Sequence, residues 1–105
     1  MKEIGHWING KHVAGTSGRF ADVFNPATGE VQAKVALASK AELDAAVDAA
    51  AKAQPKWAAN NPQRRARVMM EFVRLLNRDM QKLAEALSSE HGKTVPDAKR
   101  DVQRG

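Results

Sequence analysis

The hydrophobic pattern of this 105-residue chain changes its period at Ser39, and that change constrains the fold more than any other feature. Before Ser39, apolar residues alternate with polar ones between turn-forming residues, which is typical of half-buried β-strands. After Ser39, apolar residues recur every three or four positions, as on one face of an α-helix. The sequence therefore predicts a single α+β segment, with antiparallel β-hairpins over 1–38 and three or four amphipathic helices over 39–105.

Two hairpins are predicted before Ser39. Asn9-Gly10 separates the segments 4–8 and 11–14, and this dipeptide readily adopts the two positive φ angles of a type I′ turn. The run 25–30 (Asn-Pro-Ala-Thr-Gly-Glu) is rich in turn-forming residues and separates alternating segments at 19–24 and 31–37. Each pair of segments should form two antiparallel strands.

The first helix should begin at Ser39. Ser39 and Glu42 are spaced as in a capping box, in which each side chain accepts a hydrogen bond from the other residue's backbone N–H. Pro55 is expected to end or kink this helix because proline lacks the N–H that a helix interior needs. Trp57 should then lie in the segment that follows.

Further helices are predicted after residue 60. Asn61 and Pro62 are preferred N-cap and first-turn residues, and Asp79 could cap a new helix after a break near 77–79. Gly92 suits a helix C-terminus that requires a left-handed residue, and Thr94 restarts a helix. The apolar stripe of this region comprises Ala66, Met69, Val73, Leu76, Met80, Leu83 and Leu87.

Large apolar side chains are scarce. Alanine accounts for 19 residues, while Leu, Ile, Val and Phe together number 20, at the lower edge for a globular domain. Alanine buries little surface, so the chain should gain little hydrophobic stabilisation. The composition therefore indicates either a marginally stable domain or a piece of something larger.

Composition also bears on function. The chain has no cysteine, which excludes disulfides, thiolate zinc sites and a cysteine nucleophile within these residues. No apolar run reaches the roughly 18 residues of a membrane span, and the start lacks the apolar core of a signal peptide. We expect a cytoplasmic protein without a membrane partner.

The net charge of +5 raises the question of an acidic partner. Most of the excess lies in residues 61–105, where single basic residues are mixed with acidic ones, as on a solvated helix face. Only five residues are aromatic, so stacking platforms for bases are few. We expect no nucleic-acid partner. The alternative is weak, salt-dependent binding through Arg64, Arg65, Arg67, Arg74 and Arg78.

Short motifs point to no reaction within the chain. Gly5, Gly10 and Lys11 have the spacing of a phosphate-binding loop, but His12 stands where that loop needs Ser or Thr. The run 92–94 (Gly-Lys-Thr) lacks the loop's first glycine, and the three histidines have no metal-ligand spacing. The residues themselves therefore predict no catalytic, cofactor-binding or metal-binding group.

Several strings, taken in order, resemble the start of the NAD-dependent aldehyde dehydrogenases. They are 7–10 (Trp-Ile-Asn-Gly), 23–31 (Val-Phe-Asn-Pro-Ala-Thr-Gly-Glu-Val), the alanine-rich helix running into Trp57, and 90–94 (Glu-His-Gly-Lys-Thr). Segments 63–69 and 88–98 are most similar to one branch, the CoA-acylating methylmalonate-semialdehyde and malonate-semialdehyde dehydrogenases.

The resemblance implies a segment covering about a fifth of such an enzyme, at its N-terminus beside the coenzyme-binding domain. The parent would use NAD and CoA as a homo-oligomer, whereas no cofactor is expected to bind this chain alone. The family's cysteine nucleophile and general-base glutamate lie further along, so the chain should not be catalytic by itself. The sheet on which the helices of such an enzyme pack would lie outside these residues, so we expect the helices to leave an apolar face unburied within one copy. Exposed apolar faces usually mark an interface, and this one would contact the rest of the enzyme or another copy.

One residue receives a site role from the resemblance. Segment 101–105 matches an Asp-x-x-Arg-Gly string near which this branch binds the substrate carboxylate, and this makes Arg104 the candidate substrate-binding residue. An arginine can hold both oxygens of a carboxylate. Arg100 departs from the glycine expected there. The alternative to the whole assignment is a free-standing helical interaction module without enzymatic activity.

Overall fold

The computed structural model describes all residues, 1–105. Its elements are β1 (Lys2–Ile4), β2 (His6–Ile8), β3 (Lys11–Val13), β4 (Phe20–Phe24), β5 (Val31–Ala36), α1 (Lys40–Ala59), α2 (Pro62–Arg78), α3 (Met80–His91) and α4 (Val95–Arg104). The predicted α+β class, with hairpins followed by four helices, is confirmed.

Both predicted hairpins are present. Strands β2 and β3 pair antiparallel around a turn in which Asn9 has φ 54° and Gly10 has φ 73°, as a type I′ turn requires. Strands β4 and β5 also pair antiparallel, with a register shift between Val23 and Phe24.

The first predicted strand, over 4–8, is wrong in its extent. The chain breaks at Gly5, and β1 leaves the hairpin to pair in parallel with β5, which gives a second sheet of order β1-β5-β4. A side chain at position 5 would lie 2.7 Å from the carbonyl oxygen of Val13. Only glycine permits this close approach, so the break follows from backbone packing and not from hydrophobic alternation.

The chain divides into two compact units. One comprises Met1–Phe24 and Val31–Ala59, and therefore holds all five strands and α1. The other comprises Asn25–Glu30 and Asn60–Gly105, and holds α2, α3 and α4.

Helix α1 begins as predicted and ends later than predicted. The backbone N–H of Ser39 donates to Glu42 Oε1 at 3.1 Å, and the N–H of Glu42 donates to Ser39 Oγ at 3.1 Å, which completes the capping box. Of the two effects expected of Pro55, an end of the helix is wrong, because α1 continues to Ala59. The prediction that Trp57 follows the helix is also wrong, because Trp57 lies within α1. Residues 50–59 are all exposed, so water can bind the carbonyl that loses its partner at Pro55.

The second unit confirms most predicted helix boundaries. Asn61 Oδ1 accepts a hydrogen bond from the N–H of Gln63 at 2.7 Å, with Pro62 in the first turn. The predicted break also occurs at Asp79, although its side chain does not cap α3. The Asp79 carboxylate instead accepts hydrogen bonds from the Arg78 guanidinium at 3.1 and 2.9 Å.

The buried core consists of small side chains alone. Ala33, Ala36, Ala84 and Ala98 are the buried apolar residues, and no large side chain is fully buried. Helices α1 and α2 contain no buried residue. As predicted, the helices leave apolar side chains exposed. These are Leu43 and Val47 on α1 and, on α2, Val68, Met69, Met70, Phe72 and Val73. Of the predicted stripe, Leu76, Met80 and Leu87 are half-buried. None of the helices is both long and apolar enough to cross a membrane.

Candidate functional site

Polar side chains concentrate at the turn between α3 and α4, over residues 88–101. Gly92 ends α3 in the left-handed conformation with φ 87°, and its N–H donates to the carbonyl oxygen of Ser88 at 2.8 Å. The Ser88 hydroxyl donates to the carbonyl oxygen of Lys93 at 2.7 Å. The Ser88 hydroxyl therefore stabilises the turn, because it is hydrogen-bonded to a backbone carbonyl.

The start of α4 is capped within the same turn. Thr94 has φ −64° and ψ 154°, outside the helical region, and its Oγ1 accepts a hydrogen bond from the N–H of Asp97 at 3.4 Å. The predicted restart of a helix at Thr94 is confirmed. The capped turn fixes the direction in which α4 leaves.

Gly92 also allows close packing inside the second unit. A Cβ at this position would lie 3.1 Å from Cγ of Pro26, which is tighter than ordinary van der Waals contact. The left-handed φ and the close proline both favour glycine here.

An ion pair bridges the turn and the body of α4. Lys93 Nζ contacts Asp101 Oδ2, although the two residues are eight positions apart. The hydrogen bond from Lys93 lowers the pKa of Asp101, and the positive charges of Lys93, Arg104 and His91 lower it further, against an opposing effect of desolvation. Asp101 is therefore ionised at neutral pH and already holds a partner.

Sequence reasoning missed this pair. Of the two acidic residues of α4, only Asp97 pairs within the helix, with Arg100 at 3.1 Å. The available signal was the spacing 93, 97 and 101, because residues four apart share a helix face and Lys93 lies just before the N-cap.

Arg104 is the last residue of α4, and its side chain is exposed. It makes no ion pair, although its charge contributes to the lowered pKa of Asp101. The structure places this sequence-predicted residue near Asp101 and the α3–α4 turn. Arg104 is the single site residue predicted from the sequence, so the structure brings no second predicted residue to it.

The basic residues of α2 divide into two groups. Arg74 donates to Glu71 at 2.8 and 2.6 Å, and Arg78 pairs with Asp79, so these two charges are locally neutralised. Arg64 and Arg67 are exposed and make no ion pair. Nε of Arg65 is buried without a hydrogen-bond partner. Positive charge is therefore not continuous along α2.

The histidines do not form a metal site. No group of three His, Cys, Asp or Glu side chains in residues 1–105 could hold a metal ion. His6 lies in β2 with an 18% exposed side chain. Its Nε2 lies 3.6 Å from Glu42 Oε2 and has no hydrogen-bond partner. Hydrogen bonds from Ser39 and Thr16 lower the pKa of Glu42.

Comparison with known proteins gives the class to which this arrangement belongs. Residues 12–105 match the model of the aldehyde dehydrogenase family. The match covers well over half of the chain, and the chain therefore belongs to the aldehyde dehydrogenase family.

Particular relatives narrow this class. Malonate-semialdehyde dehydrogenase of Pseudomonas aeruginosa is 45% identical over 105 residues, which are 100% of this chain and 21% of the relative. A Caenorhabditis elegans protein assigned as an acylating, mitochondrial methylmalonate-semialdehyde/malonate-semialdehyde dehydrogenase is 46% identical over 94% of this chain and 19% of its own length.

A solved structure agrees with these sequences. The crystal structure of a Sinorhizobium meliloti protein, assigned as a methylmalonate-semialdehyde dehydrogenase and complexed with NAD, superposes with a TM-score of 0.95. It is 68% identical and covers 99% of this chain and 21% of its own. The predicted resemblance to this branch is confirmed, and the chain spans about a fifth of the length of these relatives.

Proposed function

We propose that this chain serves as the N-terminal segment of an NAD-dependent, CoA-acylating dehydrogenase of methylmalonate or malonate semialdehyde. The whole enzyme would oxidise the aldehyde, reduce NAD, transfer the acyl group to CoA and release the substrate carboxylate as carbon dioxide. The observation that carries the proposal is the continuous match to semialdehyde dehydrogenases over 99–100% of the chain.

The two cofactors have different support. NAD is supported by the complex of the Sinorhizobium meliloti protein. CoA is supported by the acylating designation of the Caenorhabditis elegans relative. The chain has no cysteine, so the nucleophile of the proposed reaction would be supplied by residues outside these 105.

Assembly belongs to the same proposal. Half-exposed apolar side chains such as Val68, Phe72 and Val73 on α2 suit contact with the rest of the enzyme or with another copy. We propose a homo-oligomeric enzyme on this basis. A cytoplasmic location stays a prediction.

A chimera tests whether this segment can serve in such an enzyme. The matching fifth of the Sinorhizobium meliloti protein is replaced by this chain, and formation of NADH and acyl-CoA from malonate semialdehyde is measured. We expect activity within several-fold of the unmodified relative, and none from the 105 residues alone.

The control for the chimera is the same relative with the segment deleted. A chimera as inactive as the deletion would contradict the proposal. Turnover by the 105-residue chain alone would contradict the part that denies it catalysis. Acyl-CoA can form only when CoA is present. If the chimera produced the free acid in the presence of added CoA, CoA would be removed from the proposal.

Within this function, we propose that Arg104 binds the substrate carboxylate. Its guanidinium is exposed and unpaired at the end of α4. Hydrogen bonds between charged partners contribute about 1.5–3 kcal/mol each, so Arg104→Ala in the chimera should raise KM for malonate semialdehyde about tenfold or more.

Two controls make that measurement specific. Propanal lacks the carboxylate, so its KM should not change in Arg104→Ala. Arg100→Ala removes another exposed arginine of α4, one already paired with Asp97, and should leave both KM values unchanged. Equal KM values for malonate semialdehyde with and without Arg104 would rule out the role.

A further inference from the structure

Three carboxylates in this chain precede an arginine by three positions, a spacing that brings the side chains together on a helix. Glu71 pairs with Arg74 at 2.6 Å, and Asp97 pairs with Arg100 at 3.1 Å. The third couple, Asp101 and Arg104, has the same spacing and forms no ion pair. Asp101 instead contacts Lys93.

Two features of Lys93 favour its pairing with Asp101 over the pairing of Arg104 with Asp101. Its backbone is held in the α3–α4 turn, because its carbonyl oxygen accepts the Ser88 hydroxyl at 2.7 Å. Its side chain is 28% exposed, compared with 72% for Arg100, the arginine that pairs within α4. A partly shielded ammonium on a fixed backbone loses less freedom on pairing than an arginine at the end of a helix.

The consequence concerns the charge that Arg104 presents. Asp97 neutralises Arg100, and an unoccupied Asp101 would neutralise Arg104 in the same way. With Asp101 engaged by Lys93, the Arg104 guanidinium keeps its donors available for another anion.

We propose that Lys93 holds Asp101 away from Arg104 and thereby keeps Arg104 available to a carboxylate-bearing substrate. Lys93 is thus a positioning residue that acts through Asp101, and this inference rests on the proposed role of Arg104. The ligand class is a small aldehyde carrying a carboxylate, as opposed to an uncharged aldehyde.

The central experiment is a rescue in the active chimera. Lys93→Met frees Asp101 to pair with Arg104, so KM for malonate semialdehyde should rise three- to tenfold while kcat changes little. The double variant Lys93→Met/Asp101→Asn removes the competitor and should return KM to within twofold of the starting value. Lys93→Arg should preserve KM, and KM for propanal should be constant throughout.

The rescue separates this role from a purely structural one. If Lys93 only stabilised the turn, removing Asp101 as well would not restore KM, and that result would overturn the proposal. An unchanged KM in Lys93→Met, with a raised KM in Arg104→Ala, would overturn this inference and leave the proposed function standing.

The competition of Lys93 and Arg104 for Asp101 can also be tested without measuring enzyme activity. In the 105-residue chain, hydrogen exchange at the guanidinium N–H groups of each arginine, including the Nη1 group that Arg100 donates to Asp97, can be followed by NMR. Arg104 should exchange faster than the paired Arg100 in the unmodified chain, slow toward the Arg100 rate in Lys93→Met, and speed up again in the double variant. Unaltered Arg104 exchange across the three proteins would refute the competition, whatever the KM of Arg104→Ala.

Discussion

The α3–α4 turn and helix α2 lie in the same compact unit but are stabilised in different ways. In the turn, Gly92 supplies a left-handed backbone, Thr94 caps α4, and Lys93 binds Asp101 across eight residues. Helix α2 is equally well capped by Asn61, yet it has no buried residue and exposes Met70 by 69%. Local polar contacts complete the turn, whereas most of the large apolar side chains of α2 are left half exposed or more.

The difference teaches which parts of the chain are self-sufficient. Capping and turn hydrogen bonds are made between residues close in sequence, so a short segment can satisfy all of them. Burial of an apolar stripe needs a second surface. We therefore expect substitutions in the turn region to change stability more than substitutions on α2.

The largest expected effect comes from enlarging a buried alanine. Ala98 in α4, within the turn region 88–101, is 0% exposed, so Ala98→Leu should destabilise the chain by about 1–3 kcal/mol through overpacking. Ala66→Leu adds the same atoms to the exposed stripe of α2 and should change the free energy of unfolding by less than about 0.5 kcal/mol. Urea unfolding followed by circular dichroism compares them, and equal effects would remove the contrast between the two regions.

The next effect concerns the left-handed residue of the turn. Gly92→Ala should cost about 1–2 kcal/mol for the backbone conformation, and more because its Cβ would approach Pro26. Gly18→Ala is the matched control, since Gly18 has φ +72° with nothing within 4 Å of the added Cβ. If Gly92→Ala loses more thermal stability than Gly18→Ala, the difference measures the contribution of packing against Pro26. An equal or smaller loss would mean that Pro26 contributes nothing.

The smallest effect is a pH dependence. Lys93 lowers the pKa of folded Asp101, so the pair stabilises the folded state at neutral pH and is lost as the pH falls below the ordinary aspartate range near 4. Asp101→Asn should flatten the acid-induced fall in Tm between about pH 5 and 3, and 0.5 M salt should weaken the difference. The matched control is Asp48→Asn, which removes an exposed carboxylate that makes no ion pair. A profile that is the same with and without Asp101 would show that the bridge adds no stability.

Sequence reasoning predicted the features that depend on neighbouring residues. The type I′ turn at Asn9-Gly10, the capping box at Ser39 and the left-handed Gly92 follow from backbone geometry within a few positions. The ordered strings gave the family for a similar reason, because each is a run of neighbouring residues.

Features that join distant parts of the chain were not predicted. The parallel pairing of β1 with β5 depends on residues about 30 positions apart, and hydrophobic alternation cannot distinguish one strand partner from another. For the contact of Lys93 with Asp101, the spacing 93, 97 and 101 was a signal, but Lys93 precedes the helix, so its position beside α4 depends on the backbone of the turn. Pro55 was misjudged because its tolerance in α1 depends on solvent exposure of the helix.

The alanine core changes how mutational sensitivity will be distributed over this segment. Alanine scanning finds a core by truncating large side chains, and the buried positions here, Ala33, Ala36, Ala84 and Ala98, have nothing to truncate. A scan would therefore pass over the tightest packing in the molecule and report mainly on exposed residues. Sequence divergence at these four positions should accordingly be limited by side-chain volume, with glycine and serine accepted more often than leucine or phenylalanine.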